Sequence, residues 1–106
     1  MKIYVDIDDT ICYYDNNVIR GNDMTDYSLA KPNIERIEKI NKLYDAGHEI
    51  TYWTARGFKT GCAIWFQLTL KQLNEWGCKF HELKLGKPHY NLFIDDKNIN
   101  SETYFK

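Results

Sequence analysis

Apolar residues along this chain fall into four short runs of the kind that form strands. Lys2–Ile7 is apolar on both faces, as a central strand of a parallel sheet is. His48–Trp53 predicts a second strand, and the alternation in Lys79–Leu85 predicts a third. Asn91–Ile94, "NLFI", predicts a fourth strand that ends directly before two aspartates.

Two further stretches show the spacing of amphipathic helices. Pro32 is placed to open the first helix, in the first-turn position that tolerates proline. Ile34 and Ile37 then fall on one face, and Gly47 lies at the position of a C-terminal cap for this helix. The second predicted helix runs roughly over residues 61–76.

The alternation of strands and helices predicts an α/β fold with a mostly parallel sheet and right-handed crossovers. At 106 residues the chain is expected to form one domain, residues 1–106. The tail, residues 97–106, fits either a short helix or an edge strand. Ligands of such sheets bind beyond the carboxyl ends of the strands, so the residues that follow each strand are the candidate site residues.

Composition narrows the classes of partner. The net charge is −1, which gives no argument for nucleic acid, and no apolar run approaches the roughly 20 residues of a membrane span. The N-terminus meets carboxylates too early for a signal peptide. The cysteines, Cys12, Cys62 and Cys78, are isolated, so we expect reduced thiols in a cytoplasmic protein.

The acidic residues are grouped at the ends of two predicted strands. Asp6, Asp8 and Asp9 end the first strand, and Asp95 and Asp96 end the fourth. If these strands are neighbours, the carboxylates converge and repel one another by a few kcal/mol per pair at about 4 Å. Either raised pKa values or a bound cation relieves that repulsion, and Mg²⁺ is the hard, oxygen-binding ion that fits best.

Two other candidates follow strands and suit a phosphate ligand. Thr54 ends the second predicted strand and can donate a hydrogen bond to a phosphoryl oxygen. Lys87 precedes the fourth strand and can neutralise phosphate charge. Arg56 could bind a substrate anion through two parallel hydrogen bonds from its guanidinium, or it could pair with a local carboxylate.

These residues occur in the order found in one large superfamily. The motif "DIDDT", the single Thr54, the single Lys87 and the final pair Asp95 and Asp96 resemble the haloacid dehalogenase-like (HAD) superfamily over residues 2–98. Within it, the chain is similar to the small phosphatases of bacterial capsule biosynthesis and of phages. The resemblance implies a three-layer, Rossmann-like HAD core with a mostly parallel sheet.

The resemblance also implies chemical roles. Asp6 matches the nucleophile that forms an aspartyl-phosphate, and Asp8 matches the general acid and base. Thr54 and Lys87 match the residues that bind the substrate phosphate and assist catalysis. Haloalkanoate dehalogenases typically lack the second acid, so the presence of Asp8 indicates phosphate chemistry.

The same resemblance implies a Mg²⁺ cofactor. Its ligands would be the side chain of Asp6, the main-chain carbonyl of Asp8, and Asp95 with or without Asp96. Asp9 is not required by the motif and is expected to be peripheral.

The chain has no room for the cap domain of many relatives. The site is therefore expected to be open, with a short flap, residues 12–31, after the first strand. Tyr13, Tyr14 and Tyr27 of this flap could stack on a sugar ring, pack against a second subunit or cover an edge of the core. A neighbouring subunit of a homo-oligomer is the other way to close a capless site.

The sequence thus predicts a Mg²⁺-dependent phosphomonoester phosphatase that acts on a sugar phosphate or a similar small metabolite. One alternative is a phosphatase for nucleotides or nucleic-acid ends, against which the near-neutral charge weighs. An alternative of another class is a receiver-like, phospho-accepting signalling domain. In receivers, however, the phosphorylated aspartate ends a middle strand, whereas the middle strand here ends in Thr54.

Overall fold

The computed structural model describes residues 1–21 and 25–106. Its strands are β1 (Lys2–Val5), β2 (Cys12–Tyr13), β3 (Lys31–Pro32), β4 (Glu49–Trp53) and β5 (Glu82–Lys84). Its helices are α1 (Ile34–Asp45), α2 (Cys62–Glu75) and α3 (Ser101–Tyr104), and a 3₁₀ turn covers Tyr27–Leu29. These elements form a small α/β structure.

The main sheet is parallel, with strand order β1–β4–β5 among the described residues. Lys2 of β1 lies opposite Glu49 of β4, and Thr51 of β4 lies opposite Glu82 of β5. Parallel pairing brings the carboxyl ends of the three strands to the same edge of the sheet. The predicted parallel α/β arrangement is therefore confirmed, although the first and third strands are shorter than the sequence pattern indicated.

Helix α1 forms as its apolar spacing predicts. Ile37 and Ile40 are 1% and 2% exposed and face the core. The helix ends before Gly47, whose φ of +98° is the left-handed conformation that glycine adopts without strain.

The predicted start of α1 was wrong by two residues. Pro32 lies in β3, opposite Cys12, and Asn33 is the N-cap. The Asn33 side chain accepts a hydrogen bond from the Arg36 backbone N–H at 3.2 Å. Asparagine at this position satisfies one of the free amides of the first turn, whereas proline offers no such acceptor.

The core is built from residues of β1, the turn after it, β2, α1, β4 and α2. Its buried members are Val5, Ile7, Ile11, Cys12, Ile37, Ile40, Ile50, Tyr52 and Leu73. Ile7 and Ile11 are fully buried although they follow β1, so the chain turns inward directly after the strand. This inward turn is what places the aspartates between them.

The predicted strand at Asn91–Ile94 does not form. Leu92, Phe93 and Ile94 are 75%, 47% and 88% exposed, and the segment has no regular structure. Within the described residues β1 therefore pairs with β4 alone. A short apolar run supplies strand propensity, but a strand exists only where a partner completes the ladder.

The tail resolves to the short helix α3, capped by Asn100, rather than to an edge strand. Of the helices in the described ranges, none has both the length and the apolar character that a membrane span requires.

Candidate active site

A tight turn after β1 positions the first acidic cluster. The backbone N–H groups of Thr10 and Ile11 both donate to the Ile7 carbonyl, at 3.1 and 2.9 Å. Asp9 occupies the left-handed region with a φ of 63°, which aspartate tolerates better than most residues. Its exposed carboxylate pairs with Arg20 at 2.7 Å.

Asp6 lies in a cavity of about 350 Å³ that Lys87 also lines, together with Ala55, Pro88, His89 and Tyr90. The hydrogen bond that its Oδ2 accepts from Thr10 is long, 3.4 Å. Burial raises the pKa of Asp6, and the positive charge of Lys87 opposes that effect without cancelling it. A half-buried carboxylate and an ammonium thus face one small cavity.

Thr54 and Lys87 are held together by the extension of the sheet beyond β4. The Thr54 N–H donates to the Lys84 carbonyl at 3.0 Å, and the Lys87 N–H donates to the Thr54 carbonyl at 2.9 Å. Thr54 is 1% exposed, and its Oγ1 accepts a hydrogen bond from the Arg56 backbone N–H. The structure therefore brings these two predicted phosphate-binding residues to the same sheet edge as Asp6.

Asp8 has a different environment from Asp6. Arg56 donates to both of its oxygens, from Nη2 at 2.8 Å and from Nε at 3.1 Å. The Tyr14 hydroxyl donates to Oδ1 at 2.6 Å, and the Cys12 thiol contacts the same oxygen at 3.5 Å. Burial by itself would raise the pKa of Asp8, but the hydrogen bonds and charge of Arg56 outweigh it and lower the pKa.

The other end of the Arg56 guanidinium is held by α2. Nη1 donates to the Thr69 hydroxyl at 3.1 Å and to the Gln72 Oε1 at 2.6 Å. Arg56 is 1% exposed, and its guanidinium lies over the Tyr27 ring, 4.8 Å from the centroid. Of the two possibilities that the sequence left open for Arg56, the structure shows the pairing with a local carboxylate.

Thr69 and Gln72 were not found by sequence reasoning. They are 0% and 7% exposed, on the inner face of α2. The sequence did contain a signal for them, because these two polar residues, three positions apart, lie on the same helix face as the core residue Leu73. Buried polar side chains need partners, and Arg56 is that partner here.

The predicted flap begins with β2 and ends in β3, which pair antiparallel, and the 3₁₀ turn lies between them; residues 22–24 of the flap lie outside the described ranges. Tyr14 is 9% exposed and points at Asp8, and Tyr13 is 49% exposed. Tyr27 is half-buried and packs edge-on against Trp65 at 4.9 Å. Gln72 Nε2 donates to the Tyr27 carbonyl at 2.7 Å, so α2 contacts both Arg56 and the flap.

The second acidic cluster is separate from these contacts. Asp95 and Asp96 are exposed, and Asp96 pairs with its neighbour Lys97 at 2.9 Å. Asp95 and Asp6 both line a larger, open groove of about 1090 Å³ along β1. Residues 1–21 and 25–106 contain no group of three or more His, Cys, Asp or Glu side chains that could hold a metal ion. The ligand set predicted for Mg²⁺ needs only the Asp6 and Asp95 side chains and the Asp8 carbonyl, so the Mg²⁺ site stays a prediction.

Comparison with known proteins supports the fold. No family model matches the chain, and no curated protein matches it. A crystal structure of an MCSG target from Vibrio cholerae is similar, with a TM-score of 0.76 and 23% identity. The match covers 98% of this chain and 86% of that chain. At this level of identity the likeness shows a shared fold and nothing about activity.

Proposed function

We propose that this chain is a phosphomonoester phosphatase of the HAD-like type, with Asp6 as the nucleophile. The observation that carries the proposal is the shared cavity of Asp6 and Lys87 beside Thr54, at the carboxyl edge of a parallel sheet. This arrangement supports a capless HAD-like core, as the sequence motifs do.

The first step would be the attack of an Asp6 oxygen on phosphorus. The new Asp6–phosphorus bond forms as the bond to the leaving alkoxide breaks, and the alkoxide takes a proton from Asp8. Asp6 suits this role because, of the two aspartates that follow β1, it is the one that lines the cavity. Lys87, which lines the cavity, would neutralise charge on the phosphoryl oxygens. Thr54 is 1% exposed and lies behind the cavity wall, so its hydrogen bond to a phosphoryl oxygen would require its side chain to shift when substrate binds.

The second step would return the enzyme to its starting state. A water molecule attacks phosphorus, gives its proton to Asp8, and the Asp6–phosphorus bond breaks to release phosphate. The low pKa of Asp8 keeps it ionised and ready to accept that proton. For the first step, Asp8 must carry a proton, so its hydrogen bonds from Arg56 and Tyr14 must adjust when substrate binds.

The cavity beside Asp6 favours a small substrate. Its volume of about 350 Å³ is at the lower end of the range for small-molecule sites. Tyr90 and His89 line it and offer faces for a sugar ring. We therefore propose a sugar phosphate or a similar small metabolite as the substrate class, with Mg²⁺ as the cofactor.

The test is turnover of p-nitrophenyl phosphate by the full chain with Mg²⁺ supplied. Asp6→Asn should lower the rate at least about 1,000-fold, because removing a nucleophile removes the reaction path. Asp9→Asn is the matched control, since Asp9 is exposed and asparagine accepts its backbone conformation.

Intact-mass measurement after an acid quench should detect one added phosphoryl group in wild type and none in Asp6→Asn. Turnover by Asp6→Asn at the wild-type rate would remove Asp6 as the nucleophile. Full activity in EDTA would remove Mg²⁺ from the proposal.

A further inference from the structure

We propose that Arg56 is a positioning residue that fixes the ionised Asp8 carboxylate as the base of the second step and does not contact the substrate. This inference rests on the proposed phosphatase function. The sequence left open the possibility that Arg56 binds a substrate anion. The present proposal instead assigns to Arg56 an effect on the rate of the chemical step.

The contact between Arg56 and Asp8 has the geometry of a two-pronged ion pair. Nε and Nη2 lie on one edge of the planar guanidinium, and they reach the two different oxygens of Asp8 at 3.1 and 2.8 Å. Two parallel bonds of this kind fix the carboxylate plane as well as its distance. A lysine, with one ammonium group, cannot reproduce that constraint.

Arg56 is itself fixed by α2. Its Nη1 donates to both Thr69 and Gln72, so the side chain is held at each end. The side chain of Arg56 has 0% relative exposure, whereas that of Asp8 has 19%. The partly exposed carboxylate is thus oriented by a cation that is wholly inside the protein.

The burial of Arg56 also separates it from substrate. Within residues 1–21 and 25–106, the two cavities that Asp6 lines have neither Arg56 nor Asp8 in their walls, but of that pair only the Asp8 side chain, 19% exposed, reaches solvent. Lys87 lines both cavities and is the cation placed to meet a phosphate there. Removing Arg56 should therefore leave substrate binding largely intact while Asp8 loses its alignment as a base.

The chain provides a matched control for this pair. Arg20 also binds both oxygens of a carboxylate, that of Asp9, through its two terminal nitrogens Nη1 and Nη2 at 2.9 and 2.7 Å. That pair is exposed, with side-chain exposures of 38% and 61%. Arg20→Lys thus makes the same chemical change at a surface pair, where such bonds contribute little.

The experiment compares Arg56→Lys with Arg20→Lys in p-nitrophenyl phosphate turnover. For Arg56→Lys we expect kcat to fall about 100-fold, the loss typical of a misaligned catalytic group, with KM changed less than about threefold. For Arg20→Lys we expect both constants to stay near wild type. A raised KM with unchanged kcat, or no effect of Arg56→Lys, would overturn the proposal.

A spectroscopic readout tests the pair without turnover. In ¹H–¹⁵N spectra of wild type, the Arg56 Nε–H signal, assigned by its disappearance in Arg56→Lys, should exchange slowly with water. It should shift strongly in Asp8→Asn and little in Asp9→Asn. Rapid exchange in wild type would show that the pair does not hold Asp8 in solution, and would overturn the positioning role even in an active enzyme.

If wild type fails to turn over any phosphate ester, the phosphatase proposal falls and the catalytic role of Arg56 falls with it. In that case the slow Nε–H signal would still show that the ion pair exists. If Arg56→Lys does not fold by near-ultraviolet circular dichroism, Gln72→Leu replaces it. That variant keeps Arg56 and Asp8 but removes one anchor, so kcat should fall by a smaller factor at unchanged KM, and a folded variant with wild-type kcat would contradict the proposal.

Discussion

The two acidic clusters of this chain look alike in sequence and end in different surroundings. Asp6 and Asp8 follow β1, which pairs with β4, and Ile7 between them is fully buried. Asp95 and Asp96 follow an apolar run that stays outside the sheet and is exposed. In this chain the aspartates are partly buried after the run that pairs as a strand and exposed after the run that does not.

The difference between the clusters is also electrostatic. A buried carboxylate requires a cation or hydrogen-bond donors, because burial disfavours its charged form. Asp8 has both in Arg56 and Tyr14, which approach it from the loop after β4 and from the flap. Asp95 is solvated, and its contact is with the N–H of the next residue, Asp96. Three predictions test this contrast.

The largest effect should come from removing the charge of Asp8. Asp8→Asn leaves the buried Arg56 without a counter-charge, so the free energy of unfolding should fall by about 3 kcal/mol. For a domain of this size, Tm should fall by roughly 10 °C or more. Asp95→Asn, at the solvated cluster, should leave Tm unchanged in the same calorimetric scan. Equal losses in the two variants would contradict the contrast drawn here.

A smaller effect should separate the two apolar runs. Ile7 is 0% exposed, so Ile7→Val should lower the free energy of unfolding by about 1 kcal/mol through lost packing. Ile94 is 88% exposed, so Ile94→Val should stay within about 0.5 kcal/mol of wild type. Urea unfolding measures the free energy of unfolding of both variants, and unchanged m-values show that the differences are differences in stability. A cost at Ile94 equal to that at Ile7 would mean that residues 91–94 pack as a strand in solution.

The smallest effect concerns Asp6 and has the opposite sign from that at Asp8. The pKa of Asp6 is raised in the folded state, so the folded state holds its proton to higher pH and loses stability as pH rises through that pKa. Asp6→Asn has no such proton to lose. Its Tm should match wild type near pH 4 and exceed it slightly near pH 7. A variant that is less stable than wild type at neutral pH would show that ionised Asp6 is well compensated.

Local patterns predicted much of the fold. The apolar spacing from Ile34 to Ile40 and the glycine at position 47 predicted helix α1 and its end, because helical geometry is specified by residues that are close in sequence. The strand that ends at Trp53 begins at Glu49, one residue after its predicted start at His48. The error at Pro32 was also local, since Asn33 is the better cap and was adjacent in the sequence.

The missed features depend on residues far apart in the chain. Arg56 meets Asp8 across 48 positions and Gln72 across 16, so neither contact is visible in a local pattern. Asn91–Ile94 has the composition of a strand, but its pairing depends on an edge some 90 residues earlier in the chain, and local composition does not report that pairing.

The sequence alone determined the two long helices, the three strands of the parallel sheet and the placement of Asp6 and Thr54 directly after strands, because strand and helix periodicities are encoded in neighbouring residues. Only the tertiary structure decided which carboxylate is paired, which cation is buried and which acidic cluster is solvated. Those outcomes depend on long-range packing and on the loss of water around each charge, and neither quantity is a property of a short stretch of chain.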